Sequence, residues 1–380
     1  MIPIYKPYLP KSSLAYAHEA IDSGWISSQG KYVSMVAEKL QELLNVKYVL
    51  PVNNGTSACH LMAKCLSKKL NTIGKKYILV PDNVYVAAWN SLMFDQEYIL
   101  VPIKADLKTW NMDMGDLDRA IKQYPGASCL IVSNLGNITN VPELQKKYPD
   151  TIFIEDNCEG LFGKYNGAYS GTAALCSSIS FFGNKTITGG ESGALVLNDE
   201  ELYIYAKCIH SQGQSNKRFV HTELGNNFRI TNIASALIIG QLSVLTDILD
   251  MKNNIFDVYR KAFSGREDVC VQEVCDGTTP ANWMMGIKVP NSTYRDAEKF
   301  LASKGIEARP MFFSIQKHSH LQNHSDVLDS DCGNADSLNK ECIILPSFPE
   351  LSTPEQKFII DSVNEYIESC TRIRSIRNEY

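Results

Sequence analysis

The chain predicts an α/β fold: a large domain on a mostly parallel sheet covered by helices, followed by a smaller α+β domain. Two observations carry this reading. From about residue 45 to 200, short apolar runs rich in β-branched residues alternate with amphipathic stretches of helical length, the pattern of successive βα units. After about residue 250 that alternation gives way to short strands and single helices, so the domains are drawn as 1–250, with the N-terminal segment, and 251–380. The length agrees, because at roughly 150 residues per domain a chain of 380 makes two or three.

The strands are read in order from KYVLPV (47–52), YILVP (77–81), YILVPI (98–103), SCLIVS (128–133) and TIFIED (151–156). A further apolar strand precedes Lys185. A long helical pattern then runs from about Thr231 to Tyr259. Beyond it come short strands around WMMGIKV (283–289), a helix near Tyr294 to Lys304, and a last helix after LPSFPELSTPEQ. The polar loop from His210 to Phe228 is the longest interruption, and long structured loops tend to be functional.

Composition excludes several classes. The 37 basic and 42 acidic side chains leave a net charge of −5, without the basic surplus of a nucleic-acid binder. The one basic cluster, Arg372, Arg374 and Arg377, reads as a short solvated tail. No run approaches the ~18 apolar residues of a membrane helix, and prolines in MIPIYKPYLPKSS stand where a signal peptide has its apolar stretch. No membrane partner is expected, and the expected location is the cytoplasm. The 11 cysteines lack any CxxC pair and are read as reduced, mostly buried thiols. No metal is expected either: His318, His320 and His324 read as a solvated polar loop.

Three strand ends carry the chemistry. Asn53-Asn54-Gly55-Thr56-Ser57-Ala58 follows a strand and opens a helix, where free N–H groups and small hydroxyls can hold a phosphate. An ordinary capped turn has the same composition. Glu155-Asp156 ends another strand, and only one of two consecutive residues can face a ligand. Both acids could instead cap the next helix. Lys185, in Ser180-Phe181-Phe182-Gly183-Asn184-Lys185, follows the apolar strand, and a desolvated lysine is a common amine nucleophile. Together a phosphate cradle, a carboxylate and a lysine suit pyridoxal phosphate: phosphate on the cradle, aldehyde on the lysine, ring nitrogen on the acid. Tyr85 is placed to cover the ring, although a lone Tyr in such a helix is as often core.

These residues, with Gly24-Trp25-Ile26-Ser27-Ser28, Gly225-Asn226-Asn227-Phe228-Arg229 and Gly305-Ile306-Glu307-Ala308-Arg309-Pro310, give the chain its likeness. It resembles the sugar-nucleotide aminotransferases of the DegT/DnrJ/EryC1/StrS family over nearly its whole length. FFGNKTIT is most similar to the perosamine and viosamine type of 4-aminotransferase. The resemblance implies an aspartate-aminotransferase-type fold (fold type I of the pyridoxal phosphate enzymes), with a mixed, mostly parallel sheet in the large domain. It implies a homodimer with two shared active sites. Lys185 would be the catalytic Schiff-base lysine and Asp156 the partner of the pyridine nitrogen. Gly55, Thr56, Ser57 and Ser180 would form the phosphate cradle, Tyr85 would stack on the ring, and Asn227 would reach the phosphate from the other subunit. Trp25 and Arg229 would lie near the nucleotide-sugar.

Two positions depart from the family pattern. Glu159, three residues after Asp156, stands where many relatives carry His or Gln, and by the resemblance would lie beside the cofactor, where a carboxylate would repel the phenolic oxygen unless protonated or turned away. Gln316, in RPMFFSIQKH, stands on the substrate side where relatives often have His. The implied reaction moves an amino group from glutamate to C4 of a nucleotide-linked 4-keto-6-deoxyhexose. Its product is a 4-amino-4,6-dideoxy sugar nucleotide for glycan biosynthesis, formed with ping-pong kinetics. One alternative is a pyridoxal phosphate-dependent sugar 3-dehydratase, motivated by Asp156-Asn157-Cys158-Glu159 and opposed by Lys185, since those enzymes carry histidine there. Another is a catalytically silent regulator, opposed by the retention of Lys185 and Asp156.

Overall fold

The computed structural model describes residues 1–71, 76–95, 98–322 and 330–378, with side chains as far as Cys370. His324 lies outside the described residues. Helices α1 (Lys11–Asp22) and α2 (Lys31–Leu44) lead into strand β1 (Tyr48–Val52) and helix α3 (Gly55–Leu70). Then follow β2 (Lys76–Pro81), α4 (Ala87–Met93), β3 (Tyr98–Ile103), α5 (Met114–Gln123), β4 (Ser128–Val132), α6 (Val141–Lys147) and β5 (Phe153–Asp156). Short β6 (Lys164–Tyr165) and β7 (Ala168–Tyr169) precede β8 (Cys176–Ser180), β9 (Gly193–Leu197) and α7 (Glu200–His210).

Seven of these strands form one sheet in the order β1-β9-β8-β5-β4-β2-β3. The pairs β8-β5, β5-β4, β4-β2 and β2-β3 are parallel, whereas β9 runs antiparallel to both β1 and β8. The sheet is mixed and mostly parallel, as expected. Its strands are apolar on both faces because helices cover both. Ile78, Val80, Leu130, Val132 and Ile154 join the core under α3, α4 and α7. Their neighbours Leu79, Cys129, Ile131 and Phe153 turn to the opposite face, under α5 and α6. The same alternation decides between the two acids ending β5. Asp156 shares the α3 face with Ile154, and Glu155 turns away.

The helical pattern at 231–259 is corrected: it is two helices, α8 (Asn232–Leu242) and α9 (Leu245–Phe263), bent by 69°. The first half is apolar around its circumference because it is buried between α1, α2 and the sheet. At Gly240 a Cβ would lie 2.3 Å from Ser13 Cα, so α1 can approach only glycine there. The second half is amphipathic. No single helix among the described residues is long and apolar enough to cross a membrane.

A second sheet, β10-β12-β14-β13, is built from Cys270–Val271, Met285–Lys288, Cys342–Leu345 and Arg309–Pro310, while β11 (Thr278–Thr279) joins β6 and β7. Helix α10 (Tyr294–Ser303) and the C-terminal helix Thr353–Asn378 pack on it around Ile287, Leu301, Ile343 and Ile359. We propose that this sheet and its helices are the smaller domain. Residue 250 then falls inside α9, whose Ile248 belongs to the large core and whose Ile255, Tyr259 and Phe263 belong to the small one. The N-terminus also ties in here, with Ile2 N donating to Gly305 O at 2.7 Å.

Candidate functional site

A cavity of about 450 Å³ opens where β1, β4, β5 and β8 end and the second sheet faces them. Ligand sites of open α/β sheets gather at strand carboxyl ends. Gly55, Thr56, Tyr85, Asp156, Glu159, Ser180 and Lys185, all expected from sequence, line it together.

The cradle is the start of α3. Asn54 is extended (φ −165°) and its Oδ1 accepts from Ser57 N at 2.8 Å, a cap worth about 1 kcal/mol. That cap leaves the N–H groups of Gly55 and Thr56 facing the cavity end of the helix. A Cβ at residue 55 would lie 2.8 Å from Ser180 Cβ and 3.3 Å from Cys158 Sγ, so only glycine lets the helix start sit against β8.

Asp156 forms the floor. It is 6 % exposed, and its Oδ1 accepts from Ser178 Oγ at 2.9 Å and Cys158 N at 3.1 Å. Register explains this, since Ser178 is the β8 partner of Asp156. Glu155, on the other face, accepts from Gly171 N at 2.9 Å, and burial pushes its carboxyl up to about 8. Glu159 accepts from Leu135 N at 2.8 Å. Burial pushes its carboxyl up to about 7, against the pull of the Lys185 charge, so near neutral pH a large fraction carries a proton.

Lys185 is placed differently from expectation. It lies in the turn five residues after β8 and is half-buried, where full burial was expected. Its Nζ lies 3.8 Å from the centroid of the Trp283 ring, an attractive seat for an ammonium. Its turn is held from outside: Tyr5 OH donates to Lys185 O at 2.8 Å and Trp283 Nε1 to Asn184 O at 2.8 Å.

Five expected residues are not in the lining. Ser57 is buried beside the cradle, with its N–H engaged by the cap. Gln316 donates to Ser330 O at 2.6 Å. Trp25, 60 % exposed, and Asn227, also exposed, are outside the lining, as is Arg229, although its segment runs beside the cradle, bridging Val52 and with Asn53 N donating to Phe228 O at 2.8 Å. Arg229 Nε donates to Ser28 Oγ at 3.3 Å and Asn232 Nδ2 to Trp25 O at 2.7 Å.

Sequence reading missed Trp283, Tyr5 and Lys252. No local pattern marks them, because only the fold brings these distant segments together: Trp283 lines the cavity, Tyr5 holds the Lys185 turn and Lys252 bonds Trp283 from behind. Among the described residues Lys252 is the fully buried lysine: 1 % exposed, it donates to Trp283 O at 2.8 Å and to Ser347 O, between the rings of Tyr5 and Phe256. Burial lowers its amine from 10.5 to about 7. Between those values the unfolded chain holds a proton that the folded one has released, so this group's contribution to stability rises with pH. A Lys252→Met variant lacks that term. In paired melting curves, the wild type should gain Tm relative to the variant as pH rises from 7 towards 10; parallel curves would show that Lys252 does not titrate there.

A mixed seven-stranded sheet that gathers a helix N-terminus, a buried carboxylate and a lysine around one cavity is the architecture of the pyridoxal phosphate-dependent aminotransferases. The chain belongs to the DegT/DnrJ/EryC1/StrS aminotransferase family, whose model matches residues 7–364. It is 32% identical over 372 residues to the GDP-perosamine synthase of Escherichia coli O157:H7, covering 96% of this chain and 98% of that one. It is 27% identical over 317 residues to the GDP-4-keto-6-deoxy-D-mannose 3-dehydratase of Yersinia pseudotuberculosis, covering 77% and 79%. Among solved structures, Helicobacter pylori PseC, an aminotransferase involved in the biosynthesis of pseudoaminic acid, matches with a TM-score of 0.88. The identity is 25%, over 96% of this chain and 99% of that one.

Proposed function

We propose that the protein is a sugar-nucleotide 4-aminotransferase that moves an amino group from glutamate to C4 of a 4-keto-6-deoxyhexose on a nucleoside diphosphate. The observation that carries this is the meeting of Lys185 and Asp156 in one cavity with the free start of α3. These residues fit pyridoxal phosphate. Glycine at 55 lets the start of α3 sit against β8, and there the helix N-terminus with Thr56 and Ser180 beside it offers N–H groups and hydroxyls to an anion in the cavity. With Oδ1 already bonded twice, Asp156 keeps a second oxygen for a ring N–H.

Bound there, the cofactor supplies an aldehyde for amines and a ring that accepts electrons. The protein supplies the rest. Asp156 holds the proton on the ring nitrogen. Lys185 would move the proton between the donor α-carbon and the cofactor, first as base and then as acid, and would do the reverse for the sugar ketone. Trp283 limits the space through which its amine swings. Glu159, its carboxyl raised by burial, would in its protonated form avoid repelling the phenolic oxygen of a cofactor bound beside it. Tyr85, 61 % exposed and tilted against Phe312 at 6.2 Å, stands at the cavity wall as a cover for the ring.

A homodimer in the cytoplasm completes the reading. Asn227 is exposed, as are Phe219 and Leu224 nearby in sequence, 76 % and 90 %, and Trp25, 60 %, whose carbonyl is held by Asn232: apolar surface that a second copy would cover. Asn227 would then reach the phosphate of the partner's site, while Trp25, Arg229 and Gln316 would serve the nucleotide-sugar. Likeness to GDP-perosamine synthases favours GDP as the carrier. Incubation with glutamate and GDP-, UDP-, dTDP- and CDP-linked 4-keto-6-deoxy sugars tests this. Turnover is expected with the GDP sugar, and turnover confined to another carrier would overturn that choice.

A further inference from the structure

We propose that Cys59, Cys158 and Asp156 form a site for one thiophilic divalent cation, zinc or cadmium, and that the cation and the cofactor exclude one another. The exclusion rests on the reading of Asp156 as the ring-nitrogen partner; the ion site itself does not. Cys59 comes from the second turn of α3 and Cys158 from the segment after β5. The two sulfurs and a carboxylate oxygen of Asp156 all lie within 4.8 Å of one another. Tetrahedral zinc with Zn–S bonds of about 2.3 Å separates its sulfurs by roughly 3.8 Å, so small side-chain rotations close this triad on an ion.

Its surroundings resemble an ion site more than a chance cluster. Cys59 is 1 % exposed and Asp156 6 %, which excludes most water, yet all three residues line the cavity and leave one side open for entry and a fourth ligand. Ser178 Oγ lies 3.3 Å from Cys59 Sγ, 3.7 Å from Cys158 Sγ and 2.9 Å from Asp156 Oδ1, orienting all three. Two thiols and a carboxylate are a soft donor set that selects zinc or cadmium over magnesium or calcium. Loading breaks two S–H bonds, forms two metal–sulfur bonds and releases two protons to solvent. An ion held by the Asp156 carboxylate removes the acceptor that the ring nitrogen needs.

The test titrates cofactor-free protein with cadmium, following the ultraviolet thiolate-to-cadmium band, and with zinc in competition. One ion per chain is expected. Affinity should fall at least a hundred-fold in Cys59→Ser and in Cys158→Ala, each checked for folding by its melting curve, and should persist in Cys270→Ser, which removes an exposed thiol. No thiolate band in the wild type, or unchanged affinity in both cavity variants, overturns the site. Pyridoxal phosphate added first should block uptake. Uptake unaffected by the cofactor would leave the ion site standing and overturn the exclusion, and with it the role assigned to Asp156.

Discussion

Lys185→Ala should abolish amino transfer while leaving a folded protein. The fold survives because the bonds around this turn are made by backbone: Tyr5 OH donates to Lys185 O, and Lys185 N to Phe182 O at 2.9 Å. What the substitution removes is a half-buried side chain whose contact with Trp283 is worth about 0.5–1 kcal/mol. Catalysis has no such reserve, since the amine both holds the cofactor and moves the proton. Arginine should fail as well, because a guanidinium does not bond to an aldehyde as an amine does. The measurement is turnover with glutamate and the preferred sugar nucleotide, alongside a melting curve. Near-normal turnover in either variant would place the chemistry on another lysine.

Asp156→Asn should slow turnover on the order of 10²–10³-fold, the cost of removing one preorganised electrostatic partner, with cofactor still bound. Asparagine keeps an Oδ1 for Ser178 Oγ and Cys158 N, so the floor of the cavity holds its shape. In place of the second carboxylate oxygen it offers an amide that cannot hold a ring N–H proton. Rates and cofactor affinity measured separately distinguish this from simple loss of binding. Unchanged turnover would shift the role to Glu159, the other buried acid in the cavity lining.

Much of this site could be read from local sequence, and the readable parts share a cause. The runs that became β1 to β5 are short and β-branched, and strand ends in such a sheet converge by topology alone. Asn54-Gly55-Thr56 and Glu155-Asp156 are local signals whose meaning depends on the strand before them. The five-residue β9, GALVL, closes the sheet by antiparallel pairing with β1, about 145 residues away in sequence, and a short apolar run does not reveal its partner. Nor is the break at Ser243-Val244 visible, where apolar periodicity continues through a 69° bend set by packing. Burial of lysine is a tertiary property too: full burial was expected at Lys185, which is half-buried, and is found at Lys252, enclosed by Trp283, Ser347, Tyr5 and Phe256. Trp25, Asn227, Arg229 and Gln316 lie outside the cavity of the single chain; for the first three we propose that a second copy supplies the missing relation.

The central claim is that one lysine, Lys185, holds pyridoxal phosphate in this cavity and is freed by an amino-group donor. Borohydride reduction of the cofactor-loaded protein fixes the cofactor to the amine that carries it, and peptide mapping by mass spectrometry locates that amine. The account predicts modification of the peptide containing Lys185, suppressed when glutamate is added before the reductant. Modification at Lys252 or any other lysine instead, or no fixed cofactor at all, would contradict it.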